Sequence, residues 1–72
     1  MTQGKLYNVA KRHVQIIERM EQTAEPERLA ELEEERVMWH NKLLEILKRE
    51  GIPFEDRDHV TRIAYYLVRG TD

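Results

Sequence analysis

The 72-residue sequence contains no cysteine, so disulfide bonds and thiolate metal sites are both excluded. Long apolar runs are absent as well, and no segment approaches the roughly 20 apolar residues that a membrane span requires. The first residues lack the apolar core of a secretory signal. We therefore expect a cytoplasmic protein that makes no contact with membranes.

Motifs for catalysis are also scarce. The three glycines stand singly, so no glycine-rich loop could hold a phosphate, and no nucleophile with a neighbouring base is evident. The sequence therefore predicts a protein that is not an enzyme and that carries neither a cofactor nor a metal.

Charge is plentiful and unevenly distributed. Lys, Arg, Asp and Glu make up 36% of the chain, and the net charge of -2 is unlike that of a strongly DNA-binding domain. Residues 21–35 hold seven glutamates and one arginine, whereas the segments on either side are slightly basic. Such an acidic segment is usually a solvated helix face, although it could also contact a basic partner.

Three segments show apolar residues at helical spacing, over about residues 5–22, 26–50 and 58–69. Pro26 is suited to the first position of the second segment, and Gly51 to the position just after its end. Asp58 is the first choice for the N-cap of the third helix and Asp56 the alternative. The pattern predicts one small all-α domain spanning residues 1–72.

The short turn between the first two segments predicts an antiparallel helical hairpin, completed by a short third helix. Apolar residues of the second segment cover a wide arc, so we expect it to be the central helix that contacts both others. A chain of this length buries only about 60% of its unfolded surface. We therefore expect a second copy to supply additional burial in a homodimer.

Polar residues interrupt the apolar stripes of the hairpin. His13 stands in the stripe of the first helix, and Glu33, Arg36 and His40 stand in the arc of the second. The antiparallel pairing predicts that His13 lies opposite Arg36. Three interpretations remain open, namely a hydrogen-bonded polar layer, a dimer interface, and a metal site made by His13, His40 and Glu33.

The most direct functional prediction is a self-associating interaction or regulatory module that also binds another protein. Met38 and Trp39 lie outside or at the edge of the apolar arc, and both residue types are enriched in interface cores. The predicted contact surface combines these two residues with Leu32 and three members of the polar seam, which are His13, Arg36 and His40.

The third helix supports an alternative function. Its predicted outer face interleaves basic and aromatic residues, which can hold phosphates and stack on bases. That face consists of His59, Arg62, Tyr65, Tyr66 and Arg69. The alternative is therefore a nucleic-acid-binding regulator that uses Arg62, Tyr65, Tyr66 and Arg69.

Overall fold

The protein folds into three α-helices in the computed structural model, which describes residues 2–70. The helices are α1 (Thr2–Gln22), α2 (Pro26–Glu50) and α3 (Arg57–Arg69), and the described residues contain no strand. The predicted all-α class, with an antiparallel hairpin and a short third helix, is confirmed. None of the helices in this part of the chain is both long and apolar enough to cross a bilayer.

The first helix begins earlier than its pattern predicts. We expected the helix to start at about Lys5, where the apolar stripe begins, yet α1 already includes Thr2. A glycine lowers helix stability by only about 1 kcal/mol. That penalty does not stop the helix from extending through Gly4.

The second helix begins and ends where the sequence indicates. Pro26 occupies the first helical turn, and Gly51 follows the last turn with a left-handed backbone (φ 73°). The Gly51 N–H donates to the carbonyl of Lys48 at 3.2 Å, and the Ile52 N–H donates to that of Leu47 at 2.9 Å. These two bonds form a Schellman motif. The half-buried Ile52 side chain packs on the core beside it.

The third helix is capped by Asp56, not by the first choice, Asp58. The Asp56 carboxylate accepts a hydrogen bond from the His59 N–H at 2.8 Å. In return, the Nδ1 atom of His59 accepts one from the Glu55 N–H at 3.0 Å. This exchange resembles a capping box. It leaves Asp58 in the first turn, where its negative charge interacts favourably with the positive end of the helix dipole.

The prediction that α2 is the central helix is wrong. α1 packs extensively against both α2 and α3, whereas α2 and α3 contact each other much less. The reason lies in the wide buried stripe of α1, which extends round to Ala10 and Val14. Ala10 on α1 and Ala64 on α3 are fully buried, and such small side chains allow a close approach between helices.

The core lies where all three helices meet. We call this cluster of nine buried apolar side chains the three-helix core. Its members are Leu6, Val9, Ala10, Val14, Leu43, Ile46, Leu47, Val60 and Ala64. Ile16 and Leu32 are also buried but lie outside this cluster. His40 lies between Leu32 and Leu43 in the sequence, so His13 and His40 are at one end of the three-helix core.

Candidate functional site

The most unusual feature of the structure is a pair of buried histidines that faces across the hairpin. His13 on α1 is fully buried, and His40 on α2 is 3% exposed. Their ring centroids are 5.2 Å apart, with the ring planes tilted by 55°. Both histidines belong to the apolar stripes of their helices, so helix pairing alone brings them together.

None of the four ring nitrogens of this pair has a hydrogen-bond partner. Burial, together with smaller contributions from the nearby His40 and Arg36, lowers the pKa of His13 to about 4. Burial likewise lowers the pKa of His40, with Arg57 and Arg36 acting in the same direction. Buried polar groups are normally hydrogen-bonded. The pair is therefore stable only as two neutral imidazoles surrounded by positive charge.

Glu33 and Arg36 form a separate ion pair at the surface of α2. Arg36 donates from Nε to Glu33 Oε1 at 3.0 Å and from Nη2 to Oε2 at 2.6 Å. This two-pronged contact lowers the pKa of Glu33 and raises that of Arg36. The Glu33 side chain remains 48% exposed.

The four predicted seam residues thus divide into a buried pair and an exposed pair. The predicted neighbour of His13 was Arg36, whereas the structure places the His40 ring against it. The polar-layer interpretation required hydrogen bonds within the seam, and the described side chains make none to either imidazole. The Glu33 carboxylate is bound to Arg36 rather than to the histidines.

A metal would have to bind the two imidazoles without an acidic ligand. Within residues 2–70, no group of three or more His, Asp or Glu side chains is arranged to hold a metal ion. Arg36 and Arg57 lie close enough to disfavour positive charge at His40. The chemistry of this donor set therefore does not suit a bound cation.

The second feature is an open groove between α1 and α2, which we call the α1/α2 groove. α1 contributes two arginines and one glutamate to the rim, α2 contributes one glutamate, and apolar side chains lie between them. The groove is lined by Arg12, Ile16, Arg19, Glu35, Met38 and Trp39, together with nearby polar residues. Met38 is 44% exposed, whereas Trp39 is half-buried and packs on the three-helix core.

Trp39 is also held from its outer side. The Lys42 ammonium lies 4.8 Å from the centroid of the indole ring, in a cation–π contact. This contact and the packing on the core fix the indole at the edge of the groove.

The sequence indicated Met38 and Trp39 as contact residues, and both line this groove. The other predicted contact residues are Leu32, His13 and His40, which are buried within the single chain, and Arg36, which is half-buried. Sequence reasoning missed Arg12, Arg19 and Glu35. They lie beside the apolar stripes, so only the pairing of the two helix edges identifies them as one surface.

The predicted outer face of α3 does not form one continuous patch. Arg69 makes an ion pair with Glu18 of α1 and lies 5.3 Å from the Tyr65 ring. Tyr65 is half-buried against the core, and burial, with a contribution from Glu21, raises its pKa. Tyr66 is 58% exposed and shares a shallow depression with Arg62.

Comparisons with protein-family models, with curated proteins and with solved structures gave no match. We therefore infer function from the geometry of this chain.

Proposed function

We propose that this protein is a small, non-enzymatic interaction module that binds a second copy of itself through the α1/α2 groove. The observation that carries the proposal is the pairing of an exposed Met38 and a half-buried Trp39 with an α1 rim that is basic on balance and an acidic residue on the α2 rim. Methionine and tryptophan are favoured in interface cores, and charged rims provide orientation. A cytoplasmic location suits a chain without cysteine.

The distribution of charge favours a second copy over an unrelated partner. Arg12, Arg19 and Glu18 lie on the α1 side of the groove, where Glu18 is bound to Arg69, and Glu35 lies on the α2 side. A two-fold axis parallel to the hairpin would place α1 of one copy over α2 of the other. Each basic rim would then face an acidic rim, as an interface between identical patches requires.

The small size of the protein also favours association. Among the described residues, the three-helix core contains nine buried side chains, and a 72-residue chain leaves a large fraction of its surface exposed. A dimer that covers Met38 and the outer edge of Trp39 would bury additional apolar area at roughly 25 cal/mol per Å².

The proposal is tested by measuring the mass in solution with light scattering at micromolar concentration. We expect a value above the 8.7 kDa of a single chain. The variant M38E should return the protein to the monomer mass, because a carboxylate would be buried between the copies. A wild-type protein that is monomeric at this concentration would contradict the proposal.

V37E is the matched control for M38E. Val37 is the neighbouring residue and is 38% exposed, but it does not line the groove. We expect V37E to associate like the wild type. If V37E abolishes association and M38E does not, the contact surface is on another face of α2.

Charge reversal tests the orientation of the two copies. The single variants R19E and E35R should each weaken association, because each places like charges opposite one another. The double variant R19E/E35R should restore association. If the double variant is weaker than both single variants, the two rims do not face each other.

Nucleic-acid binding by α3 is the second candidate, and the structure offers it less support. Arg69 is engaged with Glu18, and Tyr65 packs on the core, so Arg62 and Tyr66 are the basic and aromatic residues left exposed on that face. Binding of this kind should weaken steeply with salt. Salt-sensitive binding of DNA or RNA that is lost in R62E would replace the proposal above.

A further inference from the structure

The buried histidine pair occupies the boundary between two differently packed parts of the hairpin. Away from the turn of the hairpin lies the three-helix core. Its members Val9 and Leu43 are about one helical turn from His13 and His40. Toward the turn lies a segment in which, between residues 17 and 39, Leu32 is the only buried side chain. A change at the pair would therefore act on a weakly packed segment.

We propose that the His13–His40 pair is a pH-sensitive element of the hairpin: α1 and α2 stay together while both rings are neutral and separate in mild acid. The ring centroids are 5.2 Å apart, and all four nitrogens are buried without a partner. A protonated imidazole would therefore be an uncompensated charge in an apolar environment. Such a charge strongly disfavours the folded arrangement.

The surrounding charged groups increase the effect of protonation. Arg36 of α2 acts on both imidazoles, and Arg57 at the start of α3 acts on His40. On α1, the titratable group that faces His40 is His13. Glu33, the carboxylate predicted in the same seam, is bound to Arg36. Protonation of either ring thus adds positive charge to a positive environment.

The direction of the pH dependence follows from the lowered pKa values. An unfolded histidine binds a proton near pH 6.5, whereas folded His13 does so only near 4. The free energy of unfolding therefore has its full value above about pH 6.5 and decreases as the pH falls toward 4. For His13 alone, the unfolded-to-folded ratio should rise roughly 30-fold between about pH 7.5 and about pH 5.

Trp39 provides a direct report of this event. It is the single tryptophan of the chain, it is next to His40 in sequence, and it packs on the core. Separation of α1 from α2 would expose the indole and shift its fluorescence. Because His13 and His40 belong to one chain, the loss of stability in acid should persist in M38E, in which the self-association proposed above is disrupted.

The experiment compares urea unfolding near pH 7.5 and near pH 5, followed by Trp39 fluorescence, in three proteins. The wild type and H59Q should each lose stability in acid by the roughly 30-fold change or more. H59Q removes the third histidine and retains a hydrogen-bond acceptor for the α3 cap. The double variant H13L/H40L should lose far less. If this variant and the wild type lose stability equally, the proposal is overturned.

A measurement on the wild type covers the case in which H13L/H40L does not fold. NMR spectra of the ring protons should show His13 and His40 in the neutral form for as long as the helices remain intact. Their protonation should coincide with the loss of contact between α1 and α2. If either ring becomes protonated while the hairpin stays closed, the pair is not a pH-sensitive element of the hairpin.

Discussion

The two ends of the helical hairpin are built from the same two helices but are packed differently. At one end, α3 covers the hairpin, and Leu43, Leu47 and Val60 are completely buried. The other end, residues 17–36, carries eight glutamates and three arginines, and we call it the acidic arm. Its one fully buried side chain is Leu32. A third neighbour, rather than a change in helix propensity, accounts for the difference.

This contrast explains why the histidine pair can be tolerated where it is. Two buried imidazoles without hydrogen bonds destabilise any fold that contains them. Beside the three-helix core, that penalty is offset by apolar burial on α1, α2 and α3. In the acidic arm there is little burial to offset it. The pair thus marks the point at which dense packing ends.

The largest expected effect comes from removing a leucine at each end. L43A should lower the free energy of unfolding by about 3–5 kcal/mol, since it opens a cavity among three packed helices. L32A should lower it by about 2 kcal/mol, because two helices can close over the space more easily. Urea unfolding followed by circular dichroism measures both values.

The two leucines are a matched pair, since Leu43 is 0% and Leu32 1% exposed. A loss in L32A as large as that in L43A would show that the arm and the core form one cooperative unit. Hydrogen exchange provides a second comparison. Amides of residues 27–34 should exchange faster than those of residues 43–47 if the arm opens separately.

The sequence predicted the three helices and both ends of α2 because these depend on local chemistry. The spacing of apolar residues, Pro26 and Gly51 identify α2 without reference to any neighbour. Asp56 was the second choice for the α3 cap because two aspartates stand two residues apart. Their local patterns are nearly equivalent, and the hydrogen bond to His59 decides between them.

The arrangement of the helices could not be predicted in the same way. A wide apolar arc on α2 suggested two neighbours, but its half-buried members, such as Leu29 and Leu44, account for part of that width. Likewise, His13 and His40 were recognised as unusual, whereas their contact depends on the register between helices. Arg36 was predicted at that contact because the turn sets the register only to within about one helical turn.

A smaller effect is expected at the connection that leads the chain from the hairpin into α3. G51A should destabilise the protein by about 1–2 kcal/mol, because an alanine is strained in the left-handed conformation. Nothing lies within 4 Å of the added Cβ, so the change measures backbone strain alone.

Gly4 provides the control for this substitution. It also has open space around an added Cβ, but it lies within α1 and has no positive φ. G4A should therefore stabilise the protein by a few tenths of a kcal/mol, up to about 1 kcal/mol. If G51A proves neutral in urea unfolding, the Schellman motif is not a determinant of the three-helix end.

The smallest effect concerns the ion pair that joins the two regions. Arg69 at the end of α3 contacts Glu18, which lies on α1 in the acidic arm. A double-mutant cycle with E18Q and R69Q should give a coupling below about 1 kcal/mol, because the two side chains are 40% and 54% exposed. The coupling should shrink further in high salt.

The Arg28–Glu31 pair makes this last test specific. Both residues belong to α2 and are similarly exposed, so their coupling stabilises one helix and does not attach α3 to anything. Losing the Glu18–Arg69 pair should speed hydrogen exchange in the last turn of α3, whereas R28Q should leave that turn unchanged. Equal exchange in R69Q and R28Q would mean that α3 is held by its apolar side chains, with Val60 and Ala64 fully buried among them. The boundary between core and arm would then depend only on apolar packing.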